Sequence, residues 1–216
     1  MRELSNIVIL TGAGISAESG LATFRGSDGL WEGHRVEDVA TPEAFRRDPA
    51  LVQAFYDARR ARLAGVEPNA AHIALARLDA EWPGELLIVT QNVDDLHERA
   101  GARRLIHMHG ELKSAWCLAC DARTAWELEL STGPACPSCG ERGSLRPDIV
   151  WFGEMPYAMD LIDEALRKAQ TARYTGAHEL EINLEPSLGS IWFDETRTGP
   201  ATELVPEWVE EVLGGS

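Results

Sequence analysis

Apolar positions fall along this chain in short continuous runs separated by longer stretches of helical period. Residues 7–10, 86–89, 105–108, 149–152 and 180–184 read as strands. Runs that are apolar without alternation suit a parallel sheet covered on both faces. Between them, helical patterning spans 36–64, 70–79, 161–169 and 207–213. Proline follows a capping residue at Thr41-Pro42 and Asp48-Pro49, Asn69 caps the helix carrying His72, and Pro206 opens the last one. Strands alternating with helices predict an α/β fold built on a parallel sheet.

One helix carries a mixed face. Val52, Tyr56, Arg59 and Leu63 share a stripe with Phe55 beside it, so a guanidinium stands where apolar groups are expected. Such a charge needs an anion or access to water. A protein acid such as Asp57 or Glu32 could supply the anion, and so could a ligand. Arg60 and Arg62 fall off the stripe and read as solvated charges. His72 reads as a packing or hydrogen-bonding residue.

Composition narrows the class. The chain has 216 residues, 44% hydrophobic and 25% charged, with a net charge of −15. That balance suits a globular protein, repels nucleic acid and anionic membranes, and accommodates a basic, lysine-bearing substrate. No apolar run reaches membrane-spanning length and the first residues lack a signal-peptide pattern, so the cytoplasm is expected. All four cysteines lie in residues 112–144, as Cys117-x2-Cys120 and Cys136-x2-Cys139 with fifteen residues between. Two such pairs predict a closed tetrahedral zinc site with a structural task, the alternative being thiol–disulfide chemistry.

The first strand runs into Thr11-Gly12-Ala13-Gly14, where the backbone can turn tightly before a helix opens near Ile15. Helix N-termini favour phosphate, so this turn is either a pyrophosphate cradle or a plain strand–helix connection. A hydride-transferring dehydrogenase is disfavoured. The third glycine, Gly20, is six residues beyond Gly14, and no ribose-binding acid follows at the usual distance. The polar cluster Thr90-Gln91-Asn92-Val93-Asp94 ends the second strand, where open α/β sheets bind ligands.

Several stretches together carry a family resemblance: G-A-G-I-S-A-E-S-G-L-A-T-F-R (12–25), T-Q-N-V-D (90–94), H-M-H-G-E-L (107–112), the paired C-x-x-C, V-W-F-G-E (150–154) and N-L-E-P (183–186). In this order they resemble the sirtuins, NAD-dependent protein-lysine deacylases. The Tyr56-x-x-Arg59 pair and H-R-V-E-D-V-A-T-P (34–42) resemble the subgroup of bacterial deacylases and removers of acidic acyl groups. The resemblance implies a Rossmann-like domain of 1–33, 72–111 and 145–216, a helical insertion of 34–71 and a zinc module of 112–144. It implies that Gly12, Ala13, Gly14, Ser16, Phe24, Arg25, Gln91, Asn92, Asp94, Asn183, Leu184, Glu185 and Ala201 bind NAD. Val150, Phe152 and Gly153 would hold an acyl-lysine peptide, and Tyr56 with Arg59 a succinyl or malonyl carboxylate. His109, with Asn92 and Asp94, would be catalytic, His109 drawing a proton from a ribose hydroxyl; His107 reads as a strand residue. Free lysine, nicotinamide and O-acyl-ADP-ribose would result, from a monomeric enzyme.

One departure qualifies this. The family carries a strand ending in Gly-Thr-Ser, then a loop and helix, before the strand preceding N-L-E-P. Residues 161–178 hold no such sequence, so about one β–α unit, on the order of twenty residues, is expected to be absent. A non-catalytic, zinc-stabilised binding protein is the rival reading.

Overall fold

A computed structural model describes residues 6–22, 31, 33–174 and 178–214. Phe24, Arg25 and Glu32 lie outside the described residues. The elements, in chain order, are β1 (Asn6–Thr11), α1 (Ala13–Ala17), α2 (Val36–Val39), α3 (Pro42–Arg47), α4 (Pro49–Leu63), α5 (Ala70–Glu81), β2 (Glu85–Thr90), α6 (Leu96–Ala100), β3 (Leu105–His107), β4 (Gly110–Cys117), β5 (Arg123–Ala125), β6 (Leu145–Ile149), α7 (Met159–Tyr174), β7 (Leu180–Asn183), β8 (Glu195–Thr198) and α8 (Ala201–Gly214). The fold is α/β, as the alternation of strands and helices predicts.

β1, β2 and β3 form a parallel sheet in the order β1-β2-β3, with Leu10 opposite Val89 and Ile88 opposite Leu105. On one face Ile7, Ile9 and Ile88 pack with Ile15, Leu75, Leu78, Val205 and Val209 from α1, α5 and α8. α7 approaches β1 from the other side and leaves an open groove of about 740 Å³ lined by Val8, Leu87, Ile106 and Leu161. Leu10, at the far end of β1, is 63% exposed.

Two strand expectations need correction. The strand expected over 149–152 lies at Leu145–Ile149 and belongs to a separate antiparallel sheet, order β5-β4-β6. Arg146 and Asp148 are buried there by partners, so the polar letters that hid this strand are its buried contacts. β4 and β6 therefore carry the cysteine-bearing sheet beyond 112–144, to Gly110 and Ile149. β7 pairs in parallel with β8, apart from β1, so β6–α7–β7 makes no crossover within one sheet. The last helix starts at Ala201, with Pro206 inside it.

The segment 36–64 forms three helices, α3 capped by Thr41 and α4 by Asp48. Their core, Val39, Ala44, Val52, Phe55, Tyr56 and Leu63, closes against Trp31, Leu112, Ile149 and Trp151. Arg60 corrects the expectation of a solvated charge. It is 4% exposed, donating from Nη1 to Asp57 at 2.7 Å and from Nε to the Leu112 carbonyl at 2.7 Å. Asp57 also accepts from the Leu130 and Ser131 amides, because the cysteine-rich module docks on this side of α4. Helical period identifies one buried stripe and is blind to a second partner on the opposite face. Arg62 is exposed, as expected.

Candidate active site

The carboxyl ends of β1 and β2 converge on one buried polar network. Ser16, the fourth residue of α1, donates to Asp94 Oδ2 at 3.0 Å and accepts from Asn92 Nδ2 at 3.0 Å. Asn92 Nδ2 also lies 3.1 Å from the Gly12 carbonyl, and the Leu96 amide donates to Asp94 Oδ1 at 3.2 Å. Burial raises the Asp94 pKa above the usual carboxylate range, opposed by the Leu96 amide and the Ser16 hydroxyl. The Ser16 hydroxyl is thus spent on bracing Asn92 and Asp94. The anion donors this turn can present are the first-turn amides of Ala13 and Gly14, which lack intrahelical acceptors. A Cβ on Gly14 would meet no atom within 4 Å, so the outer side of the turn is open to a ligand.

Behind this network stand two histidines. His72 closes a capping box with Asn69 and reaches Ser16 Oγ at 3.4 Å, which is the structural role its lone position suggested. His97 Nε2 lies 3.0 Å from Thr11 Oγ1, and the two rings meet edge to face at 4.9 Å. Burial pushes both pKa values down to about 4, so both rings are neutral near pH 7.

His109 follows β3 and precedes Gly110, whose φ of +79° and whose approach to β6 admit no side chain: a Cβ there would clash with the Asp148 carbonyl. Half-buried, it sets Nδ1 at 3.1 Å from the Gln91 carbonyl. A carbonyl only accepts, so Nδ1 carries the hydrogen and Nε2 keeps a lone pair able to take a proton. His107 is different: its ring bonds the Asn92 carbonyl at 3.0 Å and Glu98 Oε1 at 2.6 Å, inside β3.

Of the residues expected on the substrate side, Val150 is bonded directly to His109 and Phe152 and Gly153 follow it. The Val150 amide donates to the His109 carbonyl at 2.9 Å, and the Phe152 amide to the Ala40 carbonyl at 3.0 Å. Phe152 and Gly153 are exposed, Gly153 at φ +91°. This loop is braced by Arg146, which sequence reasoning missed. Its guanidinium stacks 3.4 Å from the Trp151 ring centroid and bonds both Glu154 oxygens, at 2.7 and 3.0 Å. The acid ending V-W-F-G-E was the signal available, since a carboxylate beside a buried turn needs a cation.

Tyr56 is fully buried and its hydroxyl accepts from Trp151 Nε1 at 3.0 Å. Burial raises its pKa, opposed by Trp151 and by the positive charges of Arg59 and Arg146, so the phenol stays protonated. Arg59 is half-buried, its guanidinium 4.3 Å over the Trp31 ring. It lines a small cavity with Leu21, Ala22, Arg62, Leu63 and Leu112. At the other end, Thr202 on α8 bonds Glu18, which sets the start of α8 beside the C-terminal end of α1. The Asn183 carbonyl accepts from Gly199 just before α8, and Leu184 and Glu185 lie exposed beyond β7.

The four cysteines form a separate centre. Their sulfurs lie within 4.8 Å of one another, with Cys117–Cys139 and Cys120–Cys136 each at 3.8 Å and no disulfide among them. A tetrahedron with Zn–S bonds of about 2.3 Å has edges of about 3.8 Å. The donor set therefore fits a structural zinc, and four thiolates leave no position for a reacting water.

A parallel sheet with a glycine turn, a polar network at its strand ends and an attached four-cysteine module defines a nucleotide-binding α/β protein with a structural zinc site. The chain belongs to the Sir2 family, whose description matches residues 12–176. An NAD-dependent protein deacylase of Bdellovibrio bacteriovorus is 52% identical over 99% of both chains, and one of Caulobacter vibrioides 49% identical over 99% of both. The former alignment runs over 232 positions against 216 residues here. A Sir2 homologue–NAD complex matches at 37% identity and a TM-score of 0.83, over 97% of this chain and 90% of that one. A Sir2 protein bound to a myristoylated histone peptide matches at 30% identity and 0.66, over 96% and 90%.

Proposed function

We propose that this chain is an NAD-dependent protein-lysine deacylase that removes acetyl and acidic acyl groups, yielding free lysine, nicotinamide and O-acyl-ADP-ribose. The observation that carries this is His109: its Nδ1 is committed to the Gln91 carbonyl, which leaves Nε2 as a base at the edge of the Ser16–Asn92–Asp94 network. NAD, when bound, supplies the ribose carbon from which nicotinamide leaves and a hydroxyl that receives the acyl group. Ala13 and Gly14 would hold the pyrophosphate, and Gln91, Asn92 and Asp94 the ribose and nicotinamide. Ser16 keeps the last two in place, and His109 takes the hydroxyl proton. Val150, Phe152 and Gly153 present the peptide side of the cleft, held by the Arg146–Glu154 brace. Nicotinamide release from NAD with an acyl-lysine peptide tests this, and His109→Gln should lower it by about 10²–10⁴-fold. Equal release from the variant overturns the assignment.

The acidic-acyl preference rests on Arg59, close enough to Tyr56 to act on its ionisation. Cytoplasmic location is supported by four free cysteines poised for a metal. The acidic surface supports protein and not nucleic acid as the partner. Monomeric action is part of the same reading, and sedimentation would check it. We also propose that one β–α unit present in relatives is absent between α7 and β7. Support comes from the sheet ending at β1, the separate β7–β8 pair and an alignment longer than the chain.

A further inference from the structure

His107 lies between two groups that can only accept. Nδ1 is 3.0 Å from the Asn92 carbonyl and Nε2 is 2.6 Å from Glu98 Oε1. A carbonyl has no hydrogen to give, and an ionised carboxylate has none either. Both ring nitrogens must therefore carry hydrogen, and the ring is an imidazolium. Its side chain is only 7% exposed, whereas that of Glu98 is 40% exposed, so the ring is sheltered while water partly screens the carboxylate.

We propose that charged His107 is a positioning residue for the cofactor site, fastening the 91–94 loop to α6 so that Asn92 meets Ser16 and the Gly12 carbonyl. The chain of contacts is short. Glu98 sits on α6, His107 on β3, and Asn92 on the loop between β2 and α6. One side of Asn92 is tied through its carbonyl to His107, the other through Nδ2 to the glycine turn. Loosening the first tie frees the second. This role rests on the reading of 91–94 as part of an NAD site.

The groups facing the ring are Glu98 and His97 on α6, Asp94 on the loop, Glu111 on β4 and the Asn92 carbonyl. Burial opposes the charge on His107, while the Glu98 bond and charge outweigh it, leaving the pKa raised. A histidine raised on folding contributes fully below its unfolded value near 6.5, and the contribution is lost as pH rises through the folded value. The clamp is therefore tight in mildly acidic solution and loosens as pH rises through the raised folded value.

The test has two arms. Ring ¹⁵N NMR on the zinc-loaded protein should show both His107 nitrogens protonated at pH 7, and Glu98→Gln should turn that signal into a neutral ring. KM for NAD should climb with pH in the wild type. In Glu98→Gln it should already be about ten-fold higher at pH 7 and flat with pH, with kcat within about two-fold. His107→Gln, which keeps one donor for the Asn92 carbonyl, should recover part of the KM loss. A wild-type ring with one unprotonated nitrogen at pH 7 overturns the proposal, as does an unchanged KM profile in Glu98→Gln. If NAD does not bind the wild type at all, the functional reading fails, and the ring spectrum still decides whether the clamp exists.

Discussion

Asp57 and Arg60 form an ion pair of 2.7 Å that is buried on both sides where α4 meets the cysteine-rich module. Burial pushes the Arg60 pKa down, and the Asp57 bond and charge oppose it. Removing one partner of such a pair leaves an uncompensated charge and typically costs about 3–5 kcal/mol. Asp57→Ala also strands the Leu130 and Ser131 amides. Urea unfolding should show a loss in that range. A loss below about 1 kcal/mol would mean that the module docks on α4 by apolar packing alone.

What the sequence revealed and what it hid follow from the range of each interaction. Strand ends, caps and cysteine spacing are local, so 7–10, 86–89, Thr41, Asp48, Asn69 and the C-x-x-C pairs were readable from a few letters. Arg60 looked solvated because its partners include carbonyls fifty and more residues away, at Leu112 and Leu128. Leu145–Ile149 was misplaced for the same reason: Arg146 and Asp148 are polar letters whose burial depends on Glu154, Ser114 and Tyr157. His109 was legible as a strand-end residue. Its tautomer was not, since that depends on the Gln91 carbonyl in the loop after β2.

The zinc site makes its own demand. Cys136 is buried against Leu130 and Leu145, so metal and module core are one structure. Cys136→Ser should release the metal and unfold the module, because metal binding supplies much of the folding free energy of such small units. Zinc content and thermal unfolding measured together check this. Full zinc with unchanged Tm would show that three thiolates suffice.

Acid should destabilise the protein before its carboxylates protonate. His72 and His97 are held neutral with pKa values near 4, against about 6.5 unfolded. The unfolded chain therefore binds more protons between those values, and stability falls as pH drops from 6.5 toward 4. The loss amounts to up to about 3 kcal/mol per ring. Unfolding free energy at pH 7 and pH 5 measures it. In His72→Gln the slope should be shallower, and an unaltered slope would move the effect to other groups.

The exposed Leu10, the edge position of β1 and the open groove of about 740 Å³ beside α7 are the surfaces on which the proposed absent β–α unit is expected to pack. Inserting about twenty residues designed as a strand then a helix between α7 and β7 should cover that face. Tm is expected to rise on the order of 10 °C, with nicotinamide release rising in parallel. A lower Tm and unchanged release would mean that this chain has closed its sheet in another way.

The proposed preference for acidic acyl groups is tested at Arg59. The guanidinium rests on the Trp31 face, with the Tyr56 phenol one helical turn back and kept protonated by burial. A planar fork over an aromatic surface is a good receiver for a carboxylate, because stacking holds its plane while its edge donates two parallel hydrogen bonds. A succinyl or malonyl group ends in such a carboxylate, and an acetyl group does not. Losing one charge-assisted contact costs about 1.5–3 kcal/mol, or roughly ten- to a hundred-fold in kcat/KM. Arg59→Met, which keeps most of the packing volume, should depress desuccinylation by that factor and leave deacetylation within about two-fold. Measuring kcat/KM for both acyl-peptides on both proteins decides the matter. Equal losses would assign Arg59 to holding Trp31 and α4 together, and the acyl group would then be read elsewhere in the cleft.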